Sequence, residues 1–156
     1  MKLQALNQAI CGLYRQALDE STKAPLVAED VRAPITRPSG KVMLESGNDV
    51  RLTSGGRERS ATFRLYYFAA DRDNPKAENL AVRDAIGEAF LNGIQADGTY
   101  LGIDEGVQFE VADGVLEATI DLTWQETLPE EAVEAFTDLE ASTEPMETLK
   151  QTMEVG

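Results

Sequence analysis

The side chains able to do chemistry in this chain form a short inventory. There is no histidine and a single cysteine, Cys11. Nucleophile schemes that need an imidazole, and metal sites with His ligands, are therefore closed to it. One thiol makes neither an internal disulfide nor a Cys-rich zinc site. Acid–base or metal-assisted work would fall to paired carboxylates, such as Asp104 with Glu105 or Asp113. Adjacent residues on a strand face opposite sides, however, and Asp113 is accounted for by the turn it forms with Gly114. Cys11 lies beside an apolar stripe with no cationic neighbour in sequence to lower its pKa, so it reads as a small packing residue. Gly55-Gly56-Arg57 lacks the Gly-Lys-Ser/Thr ending of a phosphate-binding Walker A loop. The expectation is no catalytic residue, no metal ligand and no cofactor.

Charge is the other conspicuous chemistry. The chain has 156 residues and a formal charge of −14. Residues 1–100 hold 13 Lys/Arg and 13 Asp/Glu, whereas residues 101–156 hold 15 acids and one base, Lys150. An acid excess argues against generic nucleic-acid binding, which needs cations to neutralise phosphates. Within the neutral part, Arg51, Arg57 and Arg59 make one segment locally basic. Glu110, Glu117 and Asp121 stand in the acidic part. The two sets suggest complementary contact surfaces.

The elements that must position these residues follow from periodicity. Leu3, Leu6, Ile10, Leu13, Tyr14, Ala17 and Leu18 recur at three- and four-residue steps, which predicts a helix over about 2–19. The N-terminus lacks the apolar run and cleavage site of a signal peptide, and no run reaches a membrane span, so the expectation is a cytoplasmic chain. Short strands are expected over 24–30 and Lys41–Glu45, and an aromatic strand over Ala61–Phe68. The segment between the last two, Ser46 to Ser60, is much longer than a hairpin turn needs and reads as an arm with its tip near Ser54-Gly55-Gly56.

Asn74 as cap and Pro75 at the first position open a second helix, with Leu80, Ala81, Ala85, Ile86, Ala89 and Phe90 as its buried stripe. Asn92-Gly93 stops it. Asp97-Gly98 and Asp113-Gly114 are turn signals. The second lies between the alternating runs Val107–Val111 and Leu116–Trp124. A two-residue turn there pairs Ala112 with Val115, Val111 with Leu116, Glu110 with Glu117, Phe109 with Ala118 and Val107 with Ile120. The apolar pairs then share the core face, and the two glutamates oppose each other on the outer face. Leu128-Pro129-Glu130-Glu131 opens a short acidic helix to about 141, followed by a tail with Met146, Leu149 and Met153 as apolar anchors. Residues 1–126 are read as the main domain and 127–156 as an acidic C-terminal helix and tail.

This order of elements is similar to that of a known family. Leu65-Tyr66-Tyr67-Phe68, the run Val107-Gln108-Phe109-Glu110-Val111-Ala112-Asp113-Gly114-Val115-Leu116 and the tail Pro145-Met146-Glu147-Thr148-Leu149 carry the likeness. They resemble the small tail terminator, or tail completion, proteins of tailed bacteriophages and prophages, above all the group common in phages of Gram-positive bacteria. The likeness covers about residues 1–126 plus the tail signature. It departs at Val31-Arg32-Ala33-Pro34-Ile35-Thr36-Arg37-Pro38, where a glutamine-glycine turn and a proline are expected.

The resemblance implies an α+β fold, a mostly antiparallel sheet packed against two main helices. It implies a structural virion protein, not an enzyme. The protein would form a hexameric ring that caps the head-proximal end of the tail tube. Its partners would be the tail tube protein, a neck or head-completion protein and, in contractile tails, the sheath. Its place would be the tail–neck junction of the virion, after assembly in the host cytoplasm. No membrane and no specific nucleic acid is implied, although DNA passes through such a ring. In this frame Arg51, Arg57 and Arg59 would meet Glu110, Glu117 or Asp121 of a neighbouring subunit or a tube protein. The alternative is a small acidic decoy that mimics DNA and inhibits a nucleic-acid enzyme.

Overall fold

The computed structural model describes residues 1–27 and 34–141. Their order is α1 (Leu3–Glu20), β1 (Ser39–Thr53), β2 (Gly56–Phe68), α2 (Lys76–Ala89), β3 (Ile94–Ala96), β4 (Thr99–Leu101), β5 (Gln108–Ala112) and β6 (Val115–Thr127). A third helix, α3, occupies 130–141. One sheet has strand order β1-β2-β6-β5, and β3 and β4 form a small separate pair. The class is α+β with a mostly antiparallel sheet, as expected. No helix among the described residues is long and apolar enough to cross a membrane. The expected strand over 24–30 is reduced to a parallel bridge of Leu26 to Gly40, and its residues 28–30 lie outside the described residues. The expected tail anchors, Met146, Leu149 and Met153, also lie outside them.

The chain divides into two compact units. The first comprises Met1–Asn48 and Ser60–Thr123. Here α1 presents Leu6, Ile10, Tyr14, Ala17 and Leu18 as a fully buried stripe and packs against α2 and β3. The inward residues of β2, namely Ala61, Phe63, Leu65 and Tyr67, alternate with half-buried ones, as period two requires. Those of β6, Leu116, Ala118, Ile120 and Leu122, do the same. Gly40 is a point of close approach: a Cβ there would meet Leu18 Cδ1 at 2.8 Å and the Tyr14 hydroxyl at 2.9 Å. The second unit comprises Asp49–Arg59 and the chain from Trp124. The expected arm is therefore real and longer than its two core strands suggested, because both strands run on to a tight tip between Thr53 and Gly56.

The Asp113-Gly114 turn has φ of 53° and 79°, the left-handed pair that a two-residue hairpin turn demands. It sets the expected register, from Ala112 opposite Val115 to Gln108 opposite Thr119, with Glu110 opposite Glu117. The ladder starts at Gln108, so the expected pairing of Val107 with Ile120 lies beyond it. The expectation that both strands bury their apolar face is corrected for β5: Val111 is 57% exposed and Phe109 half-buried. As the edge strand, β5 has a strand neighbour on one side only among the described residues.

The α2 stripe is also corrected. Leu80 is 51% exposed and Ala81 is exposed, while Asn79, Val82, Ala85, Ile86 and Phe90 are buried. The buried face is therefore turned toward Asn79 and Val82. Asn79 tolerates this because its side-chain amide donates to the Gly114 carbonyl at 3.1 Å. The helix starts one residue later than expected, at Lys76, with Pro75 as its cap. Asn74 instead gives its N–H to the Asp71 carboxylate. Glu78, in the first turn, accepts the N–H groups of Ala70 and Asp71 and the Tyr67 hydroxyl, at 3.0, 3.2 and 2.9 Å. Burial works against its charge, but these three donors outweigh it and hold the carboxyl below its ordinary range.

Candidate functional site

Two surfaces carry the unusual chemistry. The first is the arm, within the second unit. Arg57 places Nε and Nη2 at 3.0 and 2.8 Å from the same Glu126 carboxylate oxygen. Arg59 donates through Nε to Asp49 at 2.9 Å, and its Nη1 lies 3.8 Å from the other Glu126 oxygen. That oxygen also accepts the Trp124 indole N–H at 2.8 Å. The Arg59 guanidinium lies 5.6 Å from the centre of the Trp124 ring. Arg51 covers the Phe136 ring at 4.1 Å and donates to the Ser54 carbonyl at 2.9 Å. The Leu128 N–H, bonded to the Gly55 carbonyl at 2.9 Å, pins the tip.

Glu126 is the hub of this network. Burial opposes its charge, yet hydrogen bonds that include those from Trp124 and Arg57 prevail and bring the carboxyl down to about 2. All three arginines of the expected basic arm thus have partners inside their own unit. Arg59 has 9% of its side chain exposed, whereas Arg57 keeps 35% and Arg51 is exposed. The sequence reading missed Glu126, Trp124, Asp49 and Phe136. One signal was available: Glu126 is in phase with Leu116, Ala118, Ile120, Leu122 and Trp124 along β6. A carboxylate on that face needs a cation.

The expected acidic face lies in the first unit. Glu110 is exposed and directly opposite the half-buried Glu117. Arg64, on the adjacent strand, feels the charges of Glu117 and Glu45, and its raised pKa owes most to its bond with Tyr66. Asp121 accepts the Thr62 hydroxyl at 2.6 Å. The six expected contact residues therefore form two groups, each in a different unit.

The second surface is a groove between α2 and β5 in the first unit. At the start of α2 it holds a cavity of about 180 Å³ lined by Pro75, Lys76, Asn79, Leu80, Arg83, Val111 and Leu116. Arg83 lies 4.8 Å from the centre of the Phe109 ring. Toward the end of α2 the groove continues past Leu91, which is 79% exposed, and past Asp104 and Glu105. Among the described residues no group of three or more His, Cys, Asp or Glu is placed to hold a metal ion.

The family described as "Phage tail terminator protein" matches residues 10–134. A solved structure described as "Virion of native gene transfer agent (GTA) particle" contains a similar chain, at 14% identity and a TM-score of 0.49. The likeness covers 81% of this chain and 97% of that one. No curated protein matches.

Proposed function

Because this chain belongs to the phage tail terminator family, a family of structural virion proteins, we propose that it closes the tail tube as a ring. Copies would stack side by side on the head-proximal end of the tube, most simply as a hexamer, and stop its growth. The exposed rim would receive the neck or head-completion protein and, in a contractile tail, the sheath. The site of action would be the tail–neck junction, reached after assembly in the host cytoplasm. The observation that carries this reading is the family match over residues 10–134, which spans both compact units. The arm adds a physical reason: its long hairpin is braced by charge-assisted bonds and so held ready as a contact element.

A ring of identical copies needs a heterologous contact, one patch meeting a different patch on the next copy. Arg51 and Arg57 retain exposed surface that would suit Glu110, Glu117 or Asp121 of a neighbour, while Arg59 acts inside the arm. Acidic faces turned to the lumen would let DNA pass, since like charge repels phosphate. Negative-stain microscopy of the protein mixed with purified tail tubes tests the proposal. A ring on one end of each tube is expected; tubes that stay uncapped at saturating protein would sink it.

A further inference from the structure

The α2–β5 groove carries three features that the tail-capping role leaves unexplained. The first is exposed apolar surface: Leu80 and Val111 are 51% and 57% exposed and face one cavity with Pro75 and Leu116. Single exposed leucines are ordinary, but apolar residues gathered around a concavity mark a contact site. The second is charge. Among the described residues the cavity's only ionisable lining side chains are Lys76 and Arg83, both cations, and it opens at the N-terminal end of α2, where the helix dipole also favours an anion.

The third is a buried acceptor. Asn79 is 6% exposed and lines the cavity, and its Oδ1 has no hydrogen-bond partner among the described residues. The amide orientation is fixed, because the Gly114 carbonyl can only accept and so must face the Asn79 nitrogen. Natural interiors rarely leave such an oxygen without a donor. An occupant that offers an N–H or a hydroxyl would satisfy it. The β5 edge alongside, with β6 as its sheet neighbour on one side only, offers further main-chain groups.

An occupant for this groove should therefore be acidic, carry small apolar anchors and bring donors. The chain itself contains a segment with the acids and the apolar anchors. Residues 130–141 hold five acids and no base. Glu131, Glu134, Ala135, Asp138 and Leu139 of α3 are exposed at three- and four-residue steps, a mixed acidic and apolar ridge. We propose that the acidic segment beyond Thr127 of one copy docks in the α2–β5 groove of the next. The inference rests on the ring reading above and adds a second contact between neighbouring copies to it. It is heterologous, as ring closure requires, and it sets the acidic ridge of α3 against the apolar cavity that Lys76 and Arg83 line.

Charge swaps in the full-length chain test it. Lys76→Glu with Arg83→Glu reverses the groove, and Glu131→Lys, Glu134→Lys and Asp138→Lys together reverse the ridge. All five are exposed positions. Each set alone should weaken copy–copy association on tail tubes at least tenfold. The chain that carries both sets should recover it. Normal association by the groove-reversed chain would overturn the proposal, as would failure of the combined chain to recover while circular dichroism shows it folded. A second measurement is independent of those variants. Leu80→Cys and Asp138→Cys on two differently tagged copies, each with Cys11→Ser, should form a mixed disulfide under oxidation. Rings without that cross-link would overturn the docking. If wild-type protein caps no tube at all but the cross-link still forms between copies, the tube-capping reading fails and the groove contact stands.

Discussion

Phe63, Tyr67 and Ile120 in the first unit are fully buried in an interior of aliphatic and aromatic side chains. Among the described residues of the second unit the most enclosed charged side chain is Arg59, held between Asp49, Glu126 and the Trp124 ring. The body is thus built by removing apolar area from water, and the arm by closing a small charge network. The two kinds of stability respond to different conditions. Apolar burial is insensitive to pH and weakly strengthened by salt, whereas partly exposed ion pairs weaken in salt and are lost when a carboxylate is protonated. An assembly protein gains from this division. Its body must hold one shape, while its arm can be shaped locally by the charges that also recognise a neighbour.

The strongest break in the comparison is a core truncation. Phe63→Ala should cost about 3–5 kcal/mol and shift the whole urea transition of the body, because a fully buried ring leaves a cavity that its neighbours fill only in part. A loss below about 1 kcal/mol would mean that β2 is not the centre of the core. Next is Glu126→Gln. It removes the charge shared by Arg57 and Arg59 and should cost about 2 kcal/mol, felt in the arm. Hydrogen exchange should rise over residues 49–59 and leave the amides of α2 unchanged. Equal loosening of both regions would show that the arm is not a separate element of stability.

The same carboxylate sets a pH window. Its folded pKa of about 2 lies below its ordinary value of 4.5. The stabilisation is therefore fully present above about pH 4.5 and lost as pH falls through about 2. Trp124, the chain's one tryptophan, bonds that carboxylate directly, so its fluorescence should report the step. The step should be absent in Glu126→Gln. A fluorescence change centred near pH 4.5 instead would show that the network does not hold the charge.

How much of this was legible in the sequence depends on range. The α1 stripe and the Asp113-Gly114 register are written by residues close together, and each is where the pattern placed it, whereas α2 ends at Ala89, short of the expected stop at Asn92-Gly93. The face of α2 was misread because its phase depends on Asn79 reaching Gly114, 35 residues away. The arm's arginines were recognised as basic, but their partner Glu126 is 69 residues from Arg57. Periodicity shows which residues share a face. It does not show which distant face satisfies a polar group turned inward.

The finest test concerns Glu110 and Glu117, which stand directly opposite each other in the β5–β6 ladder. Like charges so placed repel, by roughly a few tenths of a kcal/mol. Two groups modify this cost. Arg64 lies close enough to feel the charge of Glu117, and water screens the exposed Glu110. Glu110→Lys should therefore raise body stability by about 0.3 kcal/mol at low salt, with the gain fading at high salt. No gain at low salt would mean that Arg64 already neutralises Glu117. The same variant separates stability from assembly. If Glu110 serves a neighbour's arm, the slightly more stable protein should cap tubes less well. If capping is unchanged, the arm meets its neighbour elsewhere, and the α2–β5 groove is left as the contact that closes the ring.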